Sequence, residues 1–202
     1  QSYKIIIEQW FTGVKARNGN TWNNDFYDDM EWNALALLRA FKATNDPKYK
    51  DAALELWGYI KEGWNDNAGG GITWKKGMEW SKNACSNGPA AILAARLYQE
   101  FGNPEDKEWA LRIYDWLKST LVNTNSGAVW DSIDSREGKI NKDWIFTYNQ
   151  GTYLGAAVEL HKILNEKSYL NDAALAADYT MSSLVNNSIL KSEGDGDGGL
   201  FK

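Results

Sequence analysis

Histidine and cysteine are nearly missing from this chain, which has one of each in 202 residues. A single Cys85 rules out an intrachain disulfide and a thiolate zinc site. It reads instead as a small buried hydrophobe. His161 is the sole imidazole, so Ser-His-Asp or Cys-His catalysis would rest on that residue alone. It lies within a helical stretch, where a core or surface role is expected. Basic excess is also missing: 22 Lys and Arg face 27 acidic residues, giving a net charge of −5. No basic stripe appears, which argues against a nucleic-acid partner. No apolar run reaches the roughly eighteen residues of a membrane span. There is no phosphate-cradling Gly motif. Asp195-Gly196-Asp197-Gly198-Gly199 lacks the later ligands of a calcium loop and reads as a turn. No metal and no organic cofactor are expected. Neither an initiator Met nor a signal peptide is seen; a trimmed mature form would account for both and leaves export open.

Aromatic residues are abundant, with 11 Trp and 10 Tyr. Large rings at this density fill helical cores or line planar-faced ligands such as sugars. The chain also repeats itself. Ala36-Leu37-Leu38-Arg39-Ala40-Phe41, Leu93-Ala94-Ala95-Arg96-Leu97-Tyr98 and Ala156-Ala157-Val158-Glu159-Leu160-His161 recur about sixty residues apart. Each copy closes an apolar helical stretch and is followed by a short polar turn. A second helix then begins. Tyr49, Ala52, Ala53, Leu56, Trp57 and Ile60 mark the first of these by their three- and four-residue steps. Trp109, Ala110, Ile113, Trp116 and Leu117 mark the second, and Tyr169, Ala173, Ala176, Ala177 and Met181 the third. Short turns force antiparallel neighbours. The unit is a helical hairpin, and three Gly-rich return loops (65–83, 123–147 and 186–202) emerge on one end. Tyr3, Ile6, Ile7 and Trp10 share a face, so 1–11 reads as the tail of a further helix. The expected fold is all-α: a helical-hairpin α/α toroid in one domain over 1–202, whose three hairpins make an open arc needing further helices or a partner to close.

The most pointed motif is Phe26-Tyr27-Asp28-Asp29-Met30-Glu31-Trp32. Two carboxylates adjoin at the entry of the first inner helix, beside aromatics. Glycoside hydrolysis needs two carboxyl groups across the scissile bond. A charged neighbour raises the proton affinity of the second acid. A structural alternative stands beside this: Asp28 as N-cap, Glu31 closing a capping box, Asp29 favoured by the helix dipole. Lys82-Asn83-Ala84-Cys85-Ser86-Asn87 opens the second inner helix and Thr147-Tyr148-Asn149-Gln150-Gly151 the third. Asn83 and Thr147 are also good N-caps. Amides and phenols are the groups that hydrogen-bond sugar hydroxyls. Asp131 lies in the second long loop on the same end.

Together these pieces resemble glycoside hydrolase family 76, the bacterial endo-α-1,6-mannanases with fungal cell-wall relatives. The resemblance is carried by Asp25 to Met30 with Trp32, by Gly69-Gly70-Gly71-Ile72-Thr73-Trp74, and by Lys82-Asn83 with Asn87. Gly127 to Asp131 and Thr147 to Gly151 continue it in the family's order. It implies an (α/α)6 toroid and a retaining mechanism, with Asp28 as nucleophile and Asp29 as general acid/base. It implies Trp74, Asn83, Asn87, Asp131, Tyr148, Asn149 and Gln150 as substrate contacts, and α-mannan as the polysaccharide or oligosaccharide bound. An extracellular, periplasmic or cell-surface location follows for such a substrate. The family domain has six hairpins and this chain supplies about three, so the remainder of its own domain is a further expected partner. A cell-wall transglycosidase and a non-catalytic mannan-binding protein are the alternatives, with a plain helical-repeat scaffold behind them.

Overall fold

The computed structural model describes residues 2–194, so the turn expected at Asp195–Gly199 and the end of the third return loop lie outside the described residues. Among the described residues there are seven α-helices. They are α1 Ser2–Arg17, α2 Tyr27–Thr44, α3 Pro47–Lys61, α4 Gly88–Phe101, α5 Pro104–Leu121, α6 Thr147–Leu164 and α7 Lys167–Ser183. The expected helix near the start continues to Arg17. It packs through Phe11 against Trp22 and Tyr49.

The hairpins α2–α3, α4–α5 and α6–α7 form as the repeat predicts, and α4 packs on both α2 and α6. Small side chains let α4 take the middle: Ala90, Ala91, Ala94 and Ala95 are all fully buried. Each inner helix stops in the same way. Asn45, Gly102 and Asn165 adopt left-handed backbone and donate their N–H to Phe41, Tyr98 and His161, satisfying a carbonyl that the helix leaves open. His161 is half-buried there, with Nδ1 against the Glu166 carbonyl at 3.0 Å. The outer helices α3 and α5 start on side-chain caps, Asp46 and Asn103, with Pro47 and Pro104 behind them. In α7 only Ala173 and Ala176 are buried, and Met181 is exposed. The apolar stripe expected through Met181 therefore turns outward, because α7 packs chiefly on α6.

One feature was not expected, and one expectation needs correction. The return loops carry short strands: β1 Ser81–Asn83, β2 Ser132–Asp134 and β3 Lys139–Asn141 form an antiparallel sheet in the order β1-β2-β3. Val185–Asn186 (β4) and Ile189–Leu190 (β5) make a separate hairpin. Strands this short have no usable alternation, and β1 pairs with a loop far along the chain, so no local pattern reveals them. Second, Lys82 and Asn83 do not open the second inner helix. They end β1, a 3-10 turn at Ala84–Ser86 follows, and α4 starts at Gly88.

The loops are fixed to the helices by side chains. The Lys82 ammonium is fully buried and donates to the Gly71 carbonyl at 2.6 Å. Burial lowers its pKa to about 8. Trp116 donates Nε1–H to the Ala68 carbonyl at 3.0 Å. Gly127 has φ 83°, and a Cβ there would stand 2.3 Å from the Leu175 carbonyl oxygen. Backbone cannot retreat as a flexible side chain can. Gly127→Ala should therefore cost about 2–3 kcal/mol of unfolding free energy, read by denaturant titration. A variant as stable as the parent would show that this loop does not seat on α7.

Candidate active site

The inner helices α2, α4 and α6 all start without a side-chain cap, as does the outer α7, whereas α3 and α5 are capped. In α2 the N-cap position is Phe26, in extended backbone. The Tyr27 N–H goes to the Trp74 carbonyl of the first return loop at 3.0 Å. The capping-box alternative for Asp28 and Glu31 is thereby excluded. Asn83 and Thr147 do not cap either: α4 begins after Asn87 and α6 after Phe146. The free N–H groups of Asp28 and Asp29 instead favour the charged form of the Asp28 carboxylate, as the positive end of a helix does.

Asp28 and Asp29 lie side by side on a groove of about 560 Å³, with Trp74, Asn83, Asp131 and Tyr148 around them. The pairing of Asn83 with Ser132 in the sheet brings the first two return loops together there. Tyr148 arrives from the first turn of α6. So six of the nine residues expected from the sequence meet in one place. The other three do not line the groove. Asn87 accepts the Ile72 N–H at 2.8 Å and donates to the Ile72 and Asn83 carbonyls at 3.0 and 2.8 Å. Gln150 accepts the Val129 N–H at 3.0 Å and returns a bond to the Val129 carbonyl at 2.9 Å. Asn149 is buried and reaches Asp131 at 3.5 Å. These amides hold the walls from behind.

Groove residues that sequence reasoning missed are Phe26, Ser81, Cys85, Ser132, Trp144 and Phe146. Trp144 is 60% exposed. Its signal was a lone indole in a polar loop. Cys85 is buried as expected but also touches the site. Its thiol lies close enough to Asp28 and Tyr148 to act on the proton affinity of both. The signal was the repeat register: the alignment that matches Arg39, Arg96 and Glu159 also matches Asp28, Cys85 and Tyr148. Two depressions adjoin the groove. One of about 610 Å³ shares Phe26 and Asp29 and continues to Asn23, Asn24 and Lys76. The other, of about 380 Å³, shares Ser132 and Trp144 and continues to Lys139 and Asn141.

The electrostatics are those of acids with little solvent. Burial, then the neighbouring Asp29 charge, raises Asp28 to about 6. Burial also raises Asp29 and Asp131, the latter opposed by hydrogen bonds from Ser132 and Asn149. Tyr148 and Cys85 are pushed up chiefly by burial, so both stay neutral donors. Among the described residues Asp28 Oδ1 is buried and without a hydrogen-bond partner. One turn further, Glu31 is fully buried with both oxygens equally unpartnered among them.

Known proteins resemble this chain over most of its length. The α-1,6-mannanase of Salegentibacter sp. HEL1_6 is 52% identical, with a TM-score of 0.92 covering 96% of this chain and 59% of that one. An inactive variant of that enzyme, with two consecutive aspartates replaced by asparagine, was solved with α-1,6-mannotriose. The Lin0763 protein from Listeria innocua is 41% identical with a TM-score of 0.95, covering 100% of this chain and 58% of that one. A mannan endo-1,6-α-mannosidase of Saccharomyces cerevisiae is 28% identical over 163 residues, 73% of this chain and 35% of its own length. The chain thus spans about a third of that curated relative. The solved relatives give the helical array its class, an α/α toroid of which three hairpins are seen here. The profile of glycosyl hydrolase family 76 matches residues 4–202, and this chain belongs to that family.

Proposed function

We propose that this chain carries the catalytic pair of a retaining endo-α-1,6-mannanase, with Asp28 as nucleophile and Asp29 as general acid/base. The observation that carries this reading is the placement of two consecutive, uncapped aspartates on one sugar-sized groove. The relative inactivated at two consecutive aspartates supports it, since Asp28-Asp29 is the one Asp-Asp step in this sequence. Asp28 attacks the anomeric carbon while Asp29 protonates the departing glycosidic oxygen. A water then enters, gives its proton to Asp29 and releases the sugar from Asp28. No proton is gained or lost over the two steps. Asp131, Asn83 and Tyr148 supply hydrogen bonds to hydroxyls, and Trp74 and Trp144 supply apolar faces. Depressions on both sides of the pair favour cleavage within a chain rather than at its tip. The shares of relatives covered, 59% and 35%, favour further hairpins of the same domain completing the toroid and the far groove wall. A polymeric mannan substrate supports an extracellular, periplasmic or cell-surface location.

The two acids titrate as a pair, and the active form holds one proton between them. Below the lower step both are neutral and the nucleophile is lost. Above the upper step both are charged and the acid is lost. Asp28 reaches about 6 with Asp29 already charged, so that value marks the upper step of the pair, and kcat/KM should fall on the alkaline side with an apparent pKa near it. A bound sugar covers the more exposed Asp29, so its proton is held more tightly and the alkaline limb of kcat should lie higher. Stopped assays across pH on linear α-1,6-mannan check both limbs; an alkaline limb of kcat below that of kcat/KM would contradict the assignment.

Asp28→Asn and Asp29→Asn, made in the full-length protein, should each lower kcat/KM by about a thousandfold or more. Full activity in both removes the mechanism. Products no longer than the substrate are expected; products longer than it would reassign the enzyme as a transglycosidase. Trp144→Ala should raise KM for polymer about tenfold, a loss of about 1.4 kcal/mol, with kcat nearly kept. An unchanged KM would take Trp144 out of the binding path.

A further inference from the structure

Glu31 is a fully buried acid that the mechanism above does not use. It follows Asp28 by three residues on α2, a spacing that stacks side chains on one helix face. Among the described residues neither of its oxygens has a hydrogen-bond partner, and the Asp28 Oδ1 on the same face is buried and unpartnered too. An unpaired carboxylate in such a place costs several kcal/mol, and the group escapes that cost by staying protonated. The charge acting on Glu31 is that of Asp28 on its own helix, which opposes a second negative charge there, while the neutral Cys85 thiol lies on the 3-10 turn packed against α2. Asp28 in turn faces Asp29, Cys85 and Tyr148, the last two of which also feel Asp131.

We propose that Glu31 is a positioning residue: an uncharged carboxylic acid built beneath Asp28, whose O–H dipole faces the underside of the nucleophile and steadies its anion. The inference rests on the reading of Asp28 as nucleophile. Its physical content is a division of labour among three acids. Asp29 gives its proton to the leaving oxygen and regains one from water. Asp28 attacks as the anion and carries no proton in the active form. Glu31 never gives up its proton during turnover, so no second charge sits under the nucleophile to raise its proton affinity. Burial explains how it is held so, and the direction of its own shift, upward by burial and then by Asp28, agrees.

Two substitutions in the full-length protein separate this from a packing role. Glu31→Gln keeps shape and neutrality and still offers donors. The alkaline limb of kcat/KM should stay in place and kcat should remain within about threefold of the parent. A limb lowered by about one pH unit would mean that Glu31 carries a charge, and that outcome overturns the proposal. Glu31→Leu removes the dipole. The limb should rise and kcat fall by about tenfold or more, while the melting temperature holds or increases as a buried polar group is lost. Parental kcat and pH profile in a folded Glu31→Leu protein would reduce Glu31 to a spacer. Should that variant fail to fold, the Glu31→Gln limb decides alone. Activity of Asp28→Asn tests the nucleophile separately: if it is inactive while both Glu31 variants match the parent, only the role of Glu31 falls.

Discussion

Two side-chain amides hold the site together from behind. Asn87 takes both the N–H and the carbonyl of Ile72, and Gln150 does the same to Val129. Each clamp ties the backbone of a return loop to the start of the next inner helix. All four residues are buried, so each bond lost would leave a buried donor or acceptor stranded. The clamps fix where Trp74 and Asp131 leave their loops. Everything that the groove offers a sugar depends on those two loop backbones standing still. The sheet then crosses from one loop to the other and closes the wall.

The repeat explains why the clamps match. The register that aligns the three inner helices puts Met30, Asn87 and Gln150 in equivalent places. The second and third copies use an amide there. The first uses a thioether, whose sulfur faces the Asn24 N–H at 3.4 Å. Two residues earlier, the same register yields Asp28, Cys85 and Tyr148. Parallel helices at one rotational phase bring equivalent positions toward a common centre. One register position thus carries three chemistries, an acid, a thiol and a phenol, which meet at the groove.

Much of the fold was legible because helices write their burial in local steps. Leu56, Trp57 and Ile60 are buried where their spacing put them. Pro47 and Pro104 stand at helix starts as their chemistry requires. The sheet was not legible, since three-residue strands pair across loops distant in sequence. The site was legible in its acids and less so in its amides. Asn87, Asn149 and Gln150 look like sugar-binding groups on composition, and nothing local tells an amide that faces a groove from one that faces a backbone. Phe26 as N-cap could not be foreseen either. A carbonyl from Trp74, nearly fifty residues on, takes the place a side chain would have filled.

Cys85 carries one more consequence. It is the sole thiol in the sequence and it lies enclosed between Asp28 and Tyr148. A neutral, sealed thiol reacts only when its surroundings part. The pace at which an alkylating reagent marks this chain is therefore a clock for transient opening of the groove floor, readable by mass without placing any foreign label near the acids.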